Sequence, residues 1–542
     1  MELNHKKSLK VPENLKKRKN NLFLVFIVVA FYLRLQGINY GLPYVLNPDE
    51  SANLIKMLSF CRIFFKYFAN PECINISPVF LFFNSLVVYI TCHTFNTNIL
   101  INLLEINPGA FFIPLRFISV LFGVGTVIVI YFIGLRFSPL VAIIAGGLLS
   151  VSMPHVKFSQ IFLPFSAMTF FCLLSGFFIL KTNISNKEIT LSAISALLSF
   201  LMHPIGIISV IPLLIILFQE KSLLKFKPLF TKLIVISLLL SLNYLFHLPS
   251  IVITLVKNYL INYYNYHSSS YFLYAFSFLF AGIGPVAYFG AIGFLKYRKD
   301  YNLNLLKILF SLPVLYVGVI SFLHMTEAGY IMILIPYFCI SAGLFFNSIY
   351  ERANTDNKKF IFILLLLFLF WIPLKYTLKY NKIITLPDTR VVATEWIKQN
   401  TSENYRIAWD KNSIQPNWHD VYDKQELKYL VADPELLINR QRFPVSLKLL
   451  EKNDWFKVLK KKVDYIVVNS LDYEQVLRRP GENLEKKYYK KILKLKPILV
   501  FNPYLKELDK NTKSLLIEDL YSPFLTLWQR ERSGPVIKIY KL

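Results

Sequence analysis

Residues 21–51 read NLFLVFIVVAFYLRLQGINYGLPYVLNPDES. The first twenty are apolar enough to cross a hydrocarbon layer roughly 30 Å thick, which takes about 20 residues of helix. They follow a basic flank, MELNHKKSLKVPENLKKRKN, and no small-residue cleavage site comes after them. The run therefore reads as an uncleaved first span. Two adjacent carboxylates, Asp49 and Glu50, come just after it. Pro-Asp-Glu is ordinary loop punctuation, so its position at the mouth of a first membrane helix is the feature to be explained.

Outward from this stretch, the 542 residues are 55% hydrophobic and 16% aromatic, with mean hydropathy +0.46. That is too apolar for a soluble protein of this length and predicts a polytopic α-helical membrane protein. Apolar runs recur up to about Tyr376; beyond Thr377 charges appear every few residues and no run is long enough to span. Three parts are expected: a basic cytoplasmic tail (1–21), a transmembrane domain (22–376) with its first outward loop at 41–111, and an outward soluble α/β domain (377–542). The net charge of +27 lies largely in short loops between apolar runs, where it reports topology. No aromatic residues interleave with a basic stripe, which argues against a nucleic-acid partner.

Lys- and Arg-rich loops stay cytoplasmic. Placing the tail, Arg136 and the loops opening at 181, 219, 296 and 350 inside gives about eleven spans: 22–40, 112–135, 139–153, 162–180, 188–202, 205–218, 233–247, 272–294, 307–323, 328–348 and 359–376. The apolar stretch 77–93 would reverse every later loop if it crossed. It is expected to be an interfacial or re-entrant helix with an amphipathic partner at about 50–68. Asp49 then faces outward, as do His93, His155, His203, His247, His267, His324 and His419. Singly these are helix-end residues; together they suggest an outward polar cavity, to which His203 and His324 are assigned.

The five cysteines lack metal-site spacing, and no P-loop is present, so no metal or cofactor is expected. Cys172 and Cys339 fall in apolar runs as buried thiols. Cys61 and Cys73 share one loop and are disulfide candidates if it faces an oxidising compartment. In the last third, RIAWD (406–410), VDYIVVN (463–469), KPILVF (496–501) and VIKIYKL (536–542) read as short strands, with amphipathic helices at 389–399 and 483–494. This region reads as an acceptor-handling lid or a structural cap, with a basic surface suited to anionic headgroups or an acidic glycan.

Several stretches, taken in order, resemble GT-C glycosyltransferases, in particular the protein O-mannosyltransferase and aminoarabinose-to-lipid A transferase branch and its bacterial members. They are YLRLQGINYGLPY with the NPDE after it, NPECINISPVFLFFNSLVVYI (70–90), LRFISVLFGVGTVIVIYFIGLRF (115–137), LLSVSMPHVKFSQIFLPFSAMTFF (148–171), IMILIPYFCISAG (331–343) and DTRVVATEWIKQN (388–400). Order and spacing are more specific than any one motif. The resemblance implies a helical membrane domain with outward juxtamembrane helices, a soluble C-terminal domain and a polyprenyl-phosphate-linked sugar donor used on the non-cytoplasmic face of the plasma (inner) membrane.

It also implies that Asp49 is the catalytic carboxylate, with Glu50 supporting its position or contacting the sugar, and that Arg116, His155 and Lys157 bind the donor phosphate. The chemistry agrees. A base must take the acceptor proton, and fixed positive charge must hold the leaving phosphate. The alternative for Arg116 and Lys157 is snorkelling to headgroups. The sequence departs from the family where relatives commonly carry an aspartate after Pro164, here Phe165. It departs again where basic residues are often found, here Ile76 or Ser77 and Gly329; His203 stands where a Lys is frequent. The expected activity is an inverting glycosyl transfer to a glycan, lipid or protein acceptor. The rivals are a transporter or flippase of lipid-linked sugars, for which no paired broken helices are seen, and an inactive relative with a scaffolding role.

Overall fold

The structure is a computed structural model. It describes residues 13–44, 46–62, 78–94, 96–181, 184–219, 279–280, 282–296, 303–322, 328–401, 407–410, 464–478, 481–482, 484–505, 523–524 and 526–542. The span expected at 233–247, Cys73, Ile76, Ser77, His247, His267, His324 and His419 lie outside the described residues.

The helical part begins with α1 (Glu13–Leu35), α2 (Pro48–Arg62), α3 (Pro78–Cys92), α4 (Thr97–Ile106) and α5 (Gly109–Leu135). It continues through α6 (Pro139–Ser150), α7 (Met153–Ser159), α8 (Phe165–Ile179), α9 (Asn186–Met202), a 3-10 turn (Pro204–Ser209) and α10 (Val210–Gln219). After the undescribed stretch come α11 (Pro285–Lys296), α12 (Leu303–Phe322), a 3-10 turn (Ala328–Ile333), α13 (Leu334–Glu351) and α14 (Asp356–Thr385). The starts follow local chemistry. Ser138 accepts from the Val141 N–H at 3.1 Å with Pro139 in the first turn of α6, while Ser185 and Glu188 form a capping box on α9.

Helices occupy each expected span that lies within the described residues. Among those residues three stretches are long and apolar enough to cross a membrane: Gly109–Leu135, Gly329–Glu351 and Asp356–Asn400. A fourth arises if α6 and α7, bent by 58° at their junction, count as one. The expected total of about eleven is thus not reached by length alone, because helices such as α8 have only 15 residues, about 22 Å at 1.5 Å per residue. Helix α3 is equally short, and both of its faces are apolar. Phe80, Leu81 and Val88 are buried, whereas Phe82, Phe83, Leu86 and Ile90 are exposed. The change in composition at 377 is not a structural break, since α14 runs on to Thr385.

Beyond α15 (Thr389–Asn400) lies a four-stranded sheet of β1 (Ile407–Trp409), β2 (Tyr465–Asn469), β3 (Leu499–Phe501) and β4 (Ile537–Lys541), in the order β1-β2-β4-β3. β1 runs parallel to β2; β4 pairs antiparallel with both β2 and β3. All five residues of β2 are buried, because alternate side chains go to opposite faces and both faces are covered. Ile466 and Val468 pack with α16 (Ser470–Arg478) and α17 (Leu484–Ile492); Tyr465 and Val467 pack with α15. Phe524 and Leu527, far along the chain, belong instead to the core of the helical part.

Candidate active site

Asp49 and Glu50 occupy the first turn of α2, where carboxylates are favoured by the helix dipole. The turn is set by Asn47, whose Oδ1 accepts from the Asp49 N–H at 3.0 Å. Neighbours on a helix point about 100° apart, and the two acids have different surroundings. Asp49 is half-buried. Glu50 is fully buried. Its Oε1 accepts from Arg116 Nε at 2.8 Å and from the Phe162 N–H at 2.7 Å; its Oε2 accepts from Arg116 Nη2 at 2.7 Å.

Arg116, on α5, is also fully buried. Besides the fork onto Glu50, its Nη1 donates to the carbonyls of Ile38 at 2.7 Å and Tyr40 at 2.9 Å. The guanidinium is engaged by one carboxylate and two carbonyls, and both oxygens of the carboxylate accept hydrogen bonds. Together they pin the loop after α1, α2, α5 and the segment at Phe162 into one piece, as Asn53 Nδ2 donating to the Phe162 carbonyl at 3.3 Å also does.

A second buried arginine holds the same loop from the other side. Asp388 caps α15, taking Arg390 Nε at 2.8 Å and Nη2 at 3.0 Å as well as the Arg390 N–H at 2.9 Å. Tyr40 Oη donates to Asp388 at 3.3 Å, and Arg390 Nη1 donates to the Leu46 carbonyl at 3.4 Å. Burial pushes the Asp388 carboxyl up, but the charge and hydrogen bonds of Arg390 prevail and hold it below the usual range. Gly534, at φ +98°, lies so close to Thr389 and Asp388 that a side chain there would collide with both, so the turn before β4 seats directly on the α15 cap.

His155 and Lys157 lie two residues apart on α7, about 200° around the helix. They face different partners. His155 is fully buried and its Nδ1 lies 2.8 Å from Arg34 Nη2. Arg34 can only donate, so Nδ1 accepts and the proton is on Nε2. The Lys157 ammonium lies over the rings of Phe524, 4.2 Å from its centroid, and Phe158, at 5.0 Å. His203 is half-buried, its Nδ1 accepting from the Ile205 N–H at 3.3 Å. Its ring packs 5.4 Å from Phe165 and 6.0 Å from Tyr330. His93 is exposed, with φ +53°. The three described outward histidines thus touch different residues, while His324, assigned with His203 to the expected cavity, lies outside the described residues.

Two departures from the family pattern prove to be neighbours. Phe165 opens α8, and a Cβ built on Gly329 would strike its ring. Phe158, His203 and Tyr330 complete the packing around it. Among the described residues no three His, Cys, Asp or Glu side chains converge as a metal site would require.

Arg34 was not singled out from sequence. It is fully buried and donates to the carbonyls of Ala30 at 2.9 Å, Ser150 at 3.1 Å and Leu149 at 3.2 Å. The last two end α6, where a cation offsets the helix dipole. Among the described residues it has no carboxylate partner. Its signal was available, since a lone arginine inside an apolar run is expensive and marks a built site.

No protein-family model matches the sequence, and no curated protein matches it. Solved structures do. The archaeal oligosaccharyltransferase AglB from Archaeoglobus fulgidus, in complex with an inhibitory peptide and a dolichol-phosphate, superposes with a TM-score of 0.54 at 11% identity, over 85% of this chain and 70% of that one. The chain has the GT-C fold. The same enzyme with zinc and sulfate gives 0.52 at 12% identity, and apo ArnT from Cupriavidus metallidurans 0.48 at 13%, over 85% of this chain and 95% of that one. At such identities the likeness is one of GT-C architecture.

Proposed function

We propose that the protein is an integral-membrane glycosyltransferase that moves one sugar from a polyprenyl-phosphate-linked donor to a glycan, lipid or protein acceptor on the non-cytoplasmic face, with Asp49 as general base. The observation that carries this reading is the division of labour between the two adjacent acids. Glu50 is consumed in a buried fork with Arg116, while Asp49, on the same helical turn, keeps a partly exposed position. The buried carboxylate builds the site, and the partly exposed one is the candidate base.

The acceptor hydroxyl attacks the anomeric carbon as the bond from that carbon to the phosphate oxygen breaks. Asp49 takes the acceptor proton, and polyprenyl phosphate leaves with the bonding pair. A single displacement of this kind inverts the anomeric centre. Lys157, whose ammonium lies over the rings of Phe524 and Phe158, is a candidate for the leaving phosphate, because fixed positive charge stabilises the negative charge that develops there. The neighbours support a lipid-phosphate donor by example, since AglB was solved with a dolichol-phosphate.

The packing of Phe165 against Gly329 favours a second reading, a relative whose site has been altered or silenced. Mass spectrometry of products from purified protein, given a panel of lipid-phosphate sugars, separates the two. A glycosylated acceptor with released polyprenyl phosphate supports the transferase; no product with any donor supports the silent relative.

A further inference from the structure

Helix α14 leaves its apolar stretch through a belt of side chains. Trp371 and Leu378 are exposed, Tyr376 is half-buried, and Lys375 and Lys382 are exposed around them. Trp and Tyr favour the headgroup level of a bilayer, and lysines extend from it. Against this belt sits Trp528, from the far end of the chain. Its ring meets Tyr376 edge-on with centroids 5.1 Å apart, and the Lys375 ammonium lies 5.1 Å from its centroid, yet 39% of the residue stays exposed. Leu505, 59% exposed, is tied beside it by its N–H donating to the Gln529 carbonyl at 2.8 Å.

This edge is fixed in place. Lys379 Nζ donates to the Arg530 carbonyl at 2.7 Å, and Leu527 is buried in the helical core. Trp528 and Leu505 therefore hold an apolar surface at the level where α14 turns from apolar to basic. A soluble partner would have to bind at the rim of the lipid-facing helix. Three lysines, Lys375, Lys379 and Lys382, surround the level, opposed by Glu531, whose charge acts on Lys379.

We infer that the edge formed by Trp528 and Leu505 is a membrane-docking surface that seats the C-terminal region in an anionic phospholipid interface. Continuity with the lipid-exposed face of α14 identifies the occupant as lipid, and the lysine excess identifies the headgroup charge. The docking holds whatever the enzyme's substrate is.

The test uses the full-length protein in nanodiscs, with native cysteines replaced and single cysteines at Leu505 or Lys487 carrying a fluorophore. Lipids spin-labelled near the headgroup serve as quenchers. Position 505 should lose most of its emission and 487, on the helix that covers the sheet face opposite α15, the least. Exchanging phosphatidylglycerol for phosphatidylcholine should reduce quenching at 505. Equal quenching at the two positions, or none at 505, overturns the inference. Indifference to headgroup charge overturns its anionic part. Emission at 505 that follows protein density and not the quencher would make the edge a contact between copies and would also overturn it.

Discussion

Glu50 and Arg116 form a two-pronged ion pair at 2.7 and 2.8 Å, with both side chains wholly buried. Such a pair is costly to bury and more costly to break, because removing one partner strands the other charge, typically at about 3–5 kcal/mol. Glu50→Gln should therefore lower the melting transition sharply, and Arg116→Lys should do the same by losing the planar fork. Among molecules that remain folded, affinity for an unreactive lipid phosphate should be unchanged. A stable Arg116→Lys protein that has lost phosphate affinity would support a phosphate-binding role for Arg116.

The contact between Phe165 and Gly329 predicts coupling. Gly329→Ala should destabilise by about 1–3 kcal/mol through overpacking. Phe165→Ala should cost about 3–5 kcal/mol by leaving a cavity. The double variant should cost well below the sum, since the new methyl then enters space the ring has left. Denaturation of the four proteins in a common detergent measures this. Additive losses would mean that the two residues do not meet.

The orientation expected from the loop charges is open to a direct check. With native cysteines replaced, a cysteine at Asn98 should react with a membrane-impermeant thiol reagent added from outside, and one at Lys187 should not. Both residues are exposed, so protection reports the membrane and not burial. Labelling at Lys187 with protection at Asn98 would invert the topology and remove Asp49 from the non-cytoplasmic face.

These residues also show what was legible in the sequence. Helix positions followed from apolar runs, and all four described strands lie where alternating β-branched segments placed them, because periodicity is a local property. Asp49 stood out for the same local reason. The separation of Asp49 from Glu50 was not legible, since it depends on the phase of α2 against α5, which only packing sets. Arg116 and Lys157 carry the same charge at similar membrane depth in sequence, yet one is bound to a carboxylate and the other rests on aromatic rings. Phe165 and Gly329 looked like two separate departures because nothing local links the start of α8 to the 3-10 turn before α13.

Asp410, just after β1, offers a pH test of the C-terminal region. Its burial first, then the charge of Asp472, push its carboxyl well above the usual carboxylate range; donors from Tyr489 Oη and the Asn469 N–H offset this only in part. The folded state therefore keeps a proton that the unfolded chain releases above about pH 4. With fewer protons bound in the unfolded state, stability falls as pH rises from about 4 through the folded-state value, and levels off above it. Asp410→Asn retains the shape and has no proton to lose, so protection of the β2 amides relative to wild type should grow with pH. Identical protection in the two proteins at every pH would show that Asp410 is not buried as a carboxyl.

The decisive substitution is Asp49→Asn. It preserves volume and hydrogen-bonding reach but removes basicity, so a general base should lose about 10²-fold or more in turnover with donor affinity near wild type. The dipole part of the change is small, because exchanging a carboxylate for an amide in a first turn costs about 0.3–1 kcal/mol of dipole interaction. Fold and activity can therefore be separated by melting, which should barely move here while Glu50→Gln lowers it sharply. That contrast between neighbours is the signature of one acid that reacts and one that supports. If Asp49→Asn turns over like wild type while Glu50→Gln unfolds, the pair is architectural throughout and catalysis by Asp49 is refuted. If both variants melt early, Asp49 belongs to the same buried scaffold as Glu50, and the base must be sought elsewhere along the rim of α2.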